Sequence, residues 1–323
     1  MARTLVTGGA GYIGMELCDE LLQAGRDVTV LDLLLHGQAD RAQELRERGV
    51  TVIEGDIRDP VARGHALQGA DSVVHLAAIV GDPACARDPQ LAHEVNVEAS
   101  LTLASEAAGR VERFVMASTC SNYGRMTDPT TPIDEAGVLA PVSLYAEQKV
   151  TVEQHLLGLD PAPFALTCLR FATVYGVAPR MRFDLTVNEF TRDLWDDRKL
   201  EVFGEQFWRP YVHVRDAARG IRTVLTAPVD VVAGEVFNVG DTRENYRKLD
   251  LVEEIRRQTD RGEVSYVRRD EDPRDYKVSF DKIADRLDYK ITRSVPEGIA
   301  ELIGALDAGR FADSDDRRYR NID

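Results

Sequence analysis

The 323-residue chain lacks the features of several large protein classes. Its four cysteines, Cys18, Cys85, Cys120 and Cys168, include no close pair. They read as reduced thiols used as small apolar side chains, which argues against a disulfide scaffold. The six histidines form no ligand-spaced cluster, so no metal site is expected. The apolar stretch at 73–80 spans 8 positions, far short of the roughly 18–20 residues of a membrane span. The N-terminus enters strand-like sequence directly, without a basic-then-apolar leader. These absences lead us to expect a cytoplasmic protein with no membrane partner. Basic residues are also in deficit, with 40 Lys and Arg against 55 Asp and Glu, a net charge of −15. Such acidity disfavours general binding to nucleic acid or anionic membrane. An anionic small molecule would need local arginines to overcome the repulsion.

What is present is an ordinary globular composition, 44% hydrophobic and 29% charged. A chain this long can bury a large core and carry a deep cleft. Short apolar runs at 4–7, 27–31, 50–54, 72–75, 114–117 and 166–171 read as strands. Helical patterns at 12–24, 40–48, 60–68, 89–108 and 143–157 separate them. Strands alternating with helices imply βαβ units, hence an α/β, Rossmann-type doubly wound parallel sheet. Beyond about residue 175 the regularity weakens. Strand-like text remains at 211–214 and 235–239, and helical text at 248–259 and 296–308. The expected organisation is a sheet domain over 1–175, with 211–240 partly returning to it. Residues 176–210 and 241–323 would form a smaller C-terminal α/β substrate lobe. The charged tail at 312–323 is expected to be frayed or only lightly packed.

Gly8, Gly11 and Gly14 follow the first strand and open the first helix, with Tyr12 and Ile13 between them. Glycines at this spacing allow a tight turn, close approach of a diphosphate and close helix–strand packing. The helix start adds N–H groups and a positive dipole end. Asp32 lies 18 positions after Gly14, near the expected distance of about 20, where a carboxylate meets ribose hydroxyls. It would repel a 2′-phosphate, so NAD is favoured over NADP. Asp56 and Ile57 follow the third strand; Asp56 suits either the adenine amino group or a helix N-cap. Leu76, Ala77 and Ala78 end the fourth strand with small residues beside which a flat ring can lie.

Tyr145 and Lys149 stand at i and i+4 of one helix, on one face. Thr119 precedes Tyr145 by 26 positions, at the end of the fifth strand. In a parallel sheet the carboxyl ends of strands line the ligand crevice. A nearby ammonium favours phenolate, so Tyr145 can take a hydroxyl proton that Thr119 helps to hold.

With TGGAGYIG at 7–14, HLAA at 75–78, STCSNYG at 118–124, YAEQK at 145–149, RFATVYG at 170–176, RPYVHVRD at 209–216 and FNVG at 237–240, the chain resembles the extended short-chain dehydrogenase/reductase family, the nucleotide-sugar epimerases and dehydratases. The resemblance covers nearly the whole chain. It implies tightly bound NAD, Tyr145 as base, Lys149 on the nicotinamide ribose and Thr119 as their partner, with Asn96 and Ser118 joining the cofactor set. It further implies a nucleoside-diphosphate sugar as substrate. Arg209 matches the family's diphosphate-contacting arginine, and Arg269 and Arg274 are candidates for a second contact. Cys120, Ser121, Thr173 and Asn188 complete the candidate substrate set, Cys120 reading more readily as a packing residue. The family usually forms homodimers through helices that here span about 91–108 and 143–157.

The residues after Thr119 narrow the reaction. The 4,6-dehydratases carry an Asp-Glu pair there, because water elimination needs an acid and a base; this chain has Cys120-Ser121. Oxidation and reduction at one sugar carbon remain, with C4 favoured. The leading reading is a nucleotide-sugar 4-epimerase. Open beside it are a 4-dehydrogenase or ketoreductase, a heptose among the sugars, and further behind a dehydratase. Outside enzymes there is an NAD-binding regulatory protein. VGDPAC at 80–85 and EDPRDYKVSFDKI at 271–283 resemble a subgroup that includes nucleotide-heptose 4-dehydrogenases.

Overall fold

The computed structural model describes residues 2–126, 128, 130–159, 162–267 and 274–321. Seven strands form the main sheet: β1 (Arg3–Thr7), β2 (Asp27–Asp32), β3 (Thr51–Glu54), β4 (Ser72–His75), β5 (Arg113–Thr119), β6 (Ala165–Phe171) and, late in the chain, a strand at Glu235–Val239. Their order is Glu235–Val239, β6, β5, β4, β1, β2, β3, and every pairing is parallel. Strands buried on both faces explain the near-continuous Val and Leu text of this half. The chain winds outward from β1 in one direction and from β4 in the other. The switch point therefore lies between β1 and β4, where a crevice opens at the carboxyl ends.

Two apolar clusters cover the faces of this sheet, one around Met15, Leu17 and Ile221, the other around Phe114, Leu103 and Val152. The helix Val214–Thr226 packs on the glycine-loop helix Tyr12–Gln23, and Arg222 meets Glu20 across that contact at 2.7 Å. The sequence reading ended at a strand over 211–214 and missed this helix. It contains one of the most regular apolar stripes in the chain, with Val214, Ala217, Ala218, Ile221, Val224 and Leu225 buried.

The smaller lobe holds two short sheets. β7 (Thr173–Tyr175) and β9 (Trp208–His213) pair in parallel, and β11 (Asn245–Arg247) adds antiparallel to β9. β8 (Lys199–Phe203) pairs with β12 (Glu263–Val267); the Glu235–Val239 strand between them in sequence is β10. A third apolar cluster, around Tyr211, Leu251 and Ile299, fills this lobe. Two expectations need correcting. The helix expected over 89–108 is broken at Glu94–Glu98 by a single wider π-type turn. The tail is not frayed. The Phe183 N–H donates to the Tyr319 carbonyl at 2.7 Å, and the rings of Phe183, Phe311 and Tyr319 meet edge to face with centroids 5.1–5.8 Å apart.

Candidate active site

A cleft of about 530 Å³ runs across the switch point, within the usual range for small-molecule sites. The glycine loop forms its floor. Gly8 has φ +72°, and a Cβ there would lie 2.9 Å from the Ala77 backbone nitrogen, while one on Gly14 would lie 2.4 Å from the Gly8 carbonyl. Only bare backbone fits where β1, the loop and the end of β4 converge. Gly11 caps the helix Tyr12–Gln23 without a side-chain hydrogen bond, so the helix start presents its N–H groups to the cleft. Asp32 also faces it; its carboxylate accepts from the Ala10 N–H at 3.0 Å and the Leu34 N–H at 2.8 Å. Burial raises its pKa, against the pull of those two N–H groups and of Arg180. Asp56, Ile57, Leu76, Ala77 and Ala78 line the adjoining walls. This cradle fits a dinucleotide: backbone donors for a diphosphate, a carboxylate for ribose and small apolar walls for flat rings.

The opposite wall carries Thr119, Tyr145 and Lys149 together. The helix Leu144–Leu157 begins at an N-cap serine, Ser143, whose hydroxyl accepts from the Ala146 N–H at 3.4 Å. That cap places Tyr145 in the first turn, at the cleft, and Lys149 one turn deeper. The Lys149 ammonium donates to the Ala117 carbonyl at 3.0 Å and lies 5.9 Å from the Tyr145 ring centre. Burial lowers the Lys149 pKa to about 8 and raises that of Tyr145, the neighbouring Cys85 and Asp82 adding to the rise. Ser118 lines the cleft, and its hydroxyl donates to Glu153 at 2.6 Å. Ser121, Thr173 and Arg274 line the cleft as well.

Four expected contacts lie elsewhere. Asn96 stands behind the wall: its amide oxygen accepts from the Ile79 N–H at 2.8 Å, and its NH₂ donates to the Ile79 carbonyl at 3.0 Å and to Gln148 at 2.8 Å. Cys120 is turned into the core, its thiol on the Arg170 carbonyl at 3.2 Å, because the residue after Thr119 on an extended strand end points to the opposite face. Asn188 is fully buried, accepting from the Gly176 N–H and donating to Tyr12 Oη and the Arg182 carbonyl. Arg209 donates to the Trp208 carbonyl at 2.7 Å and stacks on Tyr276 at 5.2 Å, so the Tyr276 ring, rather than Arg209, reaches the cleft. Arg269 lies outside the described residues.

The sequence reading missed Asp82, Arg180, Arg182, Tyr276 and Asn321, all on the cleft wall. Asp82 and Arg274 meet at 3.0 Å; Arg182 is paired with Asp184 at 2.7 Å. Arginine-rich text at 180–182 was the available signal, but nothing local shows that this loop folds back to the cofactor end.

Fold and site together define an α/β enzyme built around a dinucleotide cleft. More narrowly, the chain belongs to the NAD dependent epimerase/dehydratase family, whose model matches residues 4–240. It is 29% identical over 301 residues to a UDP-glucose 4-epimerase of Bacillus subtilis, covering 85% of this chain and 87% of that protein. It is 28% identical over 249 residues to a UDP-N-acetyl-alpha-D-glucosaminuronate decarboxylase of Bacillus cytotoxicus, covering 75% and 76%. Among solved structures it resembles the UDP-glucuronic acid 4-epimerase of Bacillus cereus, in complex with UDP-glucuronic acid and NAD. The TM-score is 0.83 at 25% identity, over 95% of this chain and 99% of that one. The protein is therefore an NAD-dependent enzyme of the nucleotide-sugar epimerase/dehydratase class. The regulatory reading is set aside.

Proposed function

We propose that the enzyme oxidises the C4 hydroxyl of a nucleoside-diphosphate sugar and returns hydride to the other face, as a 4-epimerase. The carrying observation is the make-up of the wall beside Tyr145. Thr119 and Ser121 flank it, Cys120 is withdrawn into the core, and the nearest cleft carboxylate, Asp82, is engaged by Arg274. Such a wall can move one proton at one carbinol. It has no acid–base pair after Thr119 with which to expel water.

Bound NAD supplies reversible hydride acceptance. Gly8, Gly11, Tyr12, Ile13 and Gly14 would hold its diphosphate, Asp32 its adenosine ribose, Asp56 and Ile57 its adenine, and Ala77 and Ala78 a flat ring. Tyr145 takes and returns the C4 hydroxyl proton, and Lys149 lowers the energy of its phenolate through charge. Thr119 orients the same oxygen by hydrogen bonding, and its hydroxyl is already fixed by accepting from the Ser121 N–H at 3.1 Å. Arg274 offers the diphosphate a guanidinium fork. Relatives that act on neutral and acidic sugars leave the sugar itself open.

A homodimer through the helices Ala99–Ala107 and Leu144–Leu157 belongs to this reading. Their outward residues Thr102, Glu147 and Thr151 are polar, so the dimer should dissociate on dilution, which sedimentation would show. All four thiols are buried and free, in keeping with a reducing cytoplasm.

The test is proton NMR of a panel of nucleotide sugars, heptoses included, with no added cofactor. A C4-inverted sugar over many turnovers supports the proposal, and Tyr145→Phe should abolish it while NAD stays bound. A single turnover to a 4-keto sugar, with NADH formed on the protein, would reassign it as a 4-dehydrogenase.

A further inference from the structure

Beyond the glycine cradle, the cleft has a wall that neither the sequence motifs nor the proposed reaction uses. It consists of Arg180 and Asn321. Arg180 is 5% exposed yet lines the cleft. Its Nη2 donates to the Arg320 carbonyl at 3.1 Å, and its buried Nε has no hydrogen-bond partner among the described residues. The charges and polar groups that its guanidinium senses are Arg182, Asp184, Asp32 and Tyr12. It lines the cleft together with Asp32 at the end of β2 and Tyr12 at the start of the glycine-loop helix. That is the corner where the adenosine ribose gives way to the diphosphate. Asn321 lines the same cleft, and its buried amide oxygen likewise lacks a partner among the described residues. A buried donor and a buried acceptor left unmade are each costly. Both side chains line the cleft in which the proposed ligand, a polyhydroxylated dianion, would lie.

Arg180 does not hold this position unaided. The segment 311–321 crosses the loop at 178–184 and is fastened at several points. The Phe183 N–H donates to the Tyr319 carbonyl at 2.7 Å, and the Asn321 N–H to Asp184 at 3.1 Å. Asp315 takes both Arg198 nitrogens, at 2.9 and 2.6 Å, and Arg320 at 3.0 Å. Phe311 and Tyr319 close on Phe183 edge to face. Next to the outermost fastening, the Asn321 N–H on Asp184, the Arg320 carbonyl fixes Arg180.

We propose that residues 311–321 form a strap that completes the NAD site, holding Arg180 as a cofactor-positioning residue at the adenosine ribose–diphosphate corner, with Asn321 beside it. The cation there serves two purposes. It offsets the negative charge of Asp32 in a closed pocket, and it offers N–H donors to a dianionic diphosphate that a protein of net charge −15 would otherwise repel. The proposal rests on the NAD site described above and on no feature of the sugar chemistry.

The experiment measures NAD content after gel filtration and Kd by calorimetry on the cofactor-stripped protein. The variants are Arg180→Met in the full chain, Asn321→Ala and a chain ending at Arg310. ADP-ribose is titrated alongside NAD. Removing a charge-assisted hydrogen bond from a buried corner should raise the NAD Kd at least about tenfold in Arg180→Met. The Kd for ADP-ribose should rise by the same factor, because the guanidinium meets the half that both ligands share. Joining Arg180→Met to the truncation should add little, since the strap acts through that side chain. Wild type binding NAD while Arg180→Met stays within twofold of it would overturn the strap and leave the cofactor site standing. A loss for NAD that is absent for ADP-ribose would also overturn it. Wild type binding neither ligand would instead overturn the cofactor site itself. If the truncated chain does not fold, Arg180→Met decides alone.

Discussion

Asp82 and Arg274 meet at 3.0 Å across the cleft wall. The aspartate begins a short helix after β4, and the arginine precedes a stretch that bridges to Arg125 and Ile133 and packs in the main-sheet cluster, so the pair joins distant parts of the chain at the cleft. Both side chains are about 30% exposed, and such a pair adds little stability by itself. Its consequence is for binding. In the proposed function, an incoming diphosphate would compete with Asp82 for the Arg274 guanidinium. Arg274→Ala should raise KM for the nucleotide sugar about tenfold or more with a smaller change in kcat. Asp82→Asn should lower KM by removing the carboxylate that competes with the diphosphate. Steady-state kinetics on the two variants check both directions.

Lys149 sets a pH limit on turnover. Burial lowers its pKa to about 8, and the proton must be present for the ammonium to favour the Tyr145 phenolate. The rate should therefore fall as pH rises through about 8, although simple phenol ionisation would increase it. Lys149→Met should cost on the order of a hundredfold or more in kcat. Lys149→Arg should be slower than wild type but lack the descending limb, because guanidinium stays charged. A pH–rate profile under saturating substrate distinguishes these outcomes.

Behind Thr119 lies a buried ion pair. Arg170 donates to Glu153 at 2.5 Å, with both side chains at most 5% exposed. Glu153 also receives the Ser118 hydroxyl at 2.6 Å, and Arg170 reaches Tyr123 Oη at 2.9 Å. Glu153→Ala leaves a buried cation without its partner and should cost roughly 3–5 kcal/mol in urea unfolding. Replacing both residues with Met should recover most of that loss. An equal loss in the double variant would show that the cost arises from packing rather than from charge.

Much of this was legible from local pattern. The glycine loop, Asp32 and the Tyr145–Lys149 pair are read within single βα units, and each lies on the cleft. Asn96 and Asn188 also come from recognisable text, but their amides are consumed one layer back, by the Ile79 backbone and by Tyr12 and Gly176. Sequence spacing cannot separate a residue that touches a ligand from one that holds the residue doing so. Arg180 and the tail were illegible for a different reason. Residues 311–321 carry few apolar side chains, and their fastening depends on Phe183 and Arg198, more than 100 positions earlier in the chain. The π-type turn at Glu94–Glu98 carries no proline or glycine that would mark it in the local pattern.

His75 makes the fold sensitive to acid. It sits at the end of β4 beneath the cleft floor, 1% exposed. Thr7 Oγ1 lies 2.7 Å from its Nδ1 and Ser100 Oγ lies 2.8 Å from its Nε2. Ser100 already donates to the Asn96 carbonyl at 2.8 Å, so Nε2 carries the proton and Nδ1 accepts from Thr7. Thr7 in turn accepts from the Ala77 N–H at 3.2 Å. Neutral imidazole satisfies this chain of bonds; a second ring proton disrupts it. Burial first, and the nearby Lys149 second, lower the pKa of His75 from 6.5 to about 3. Between those values the unfolded chain binds a proton that the folded one refuses, so stability falls as pH falls through that window. From pH 6.5 to pH 5 the loss is about 2 kcal/mol. His75→Gln should be less stable at pH 7 but lack this share of the acid dependence. Urea unfolding of both proteins at pH 7 and pH 5, at equal NAD saturation, measures the difference. Parallel losses in the two proteins would show that other groups carry the acid response.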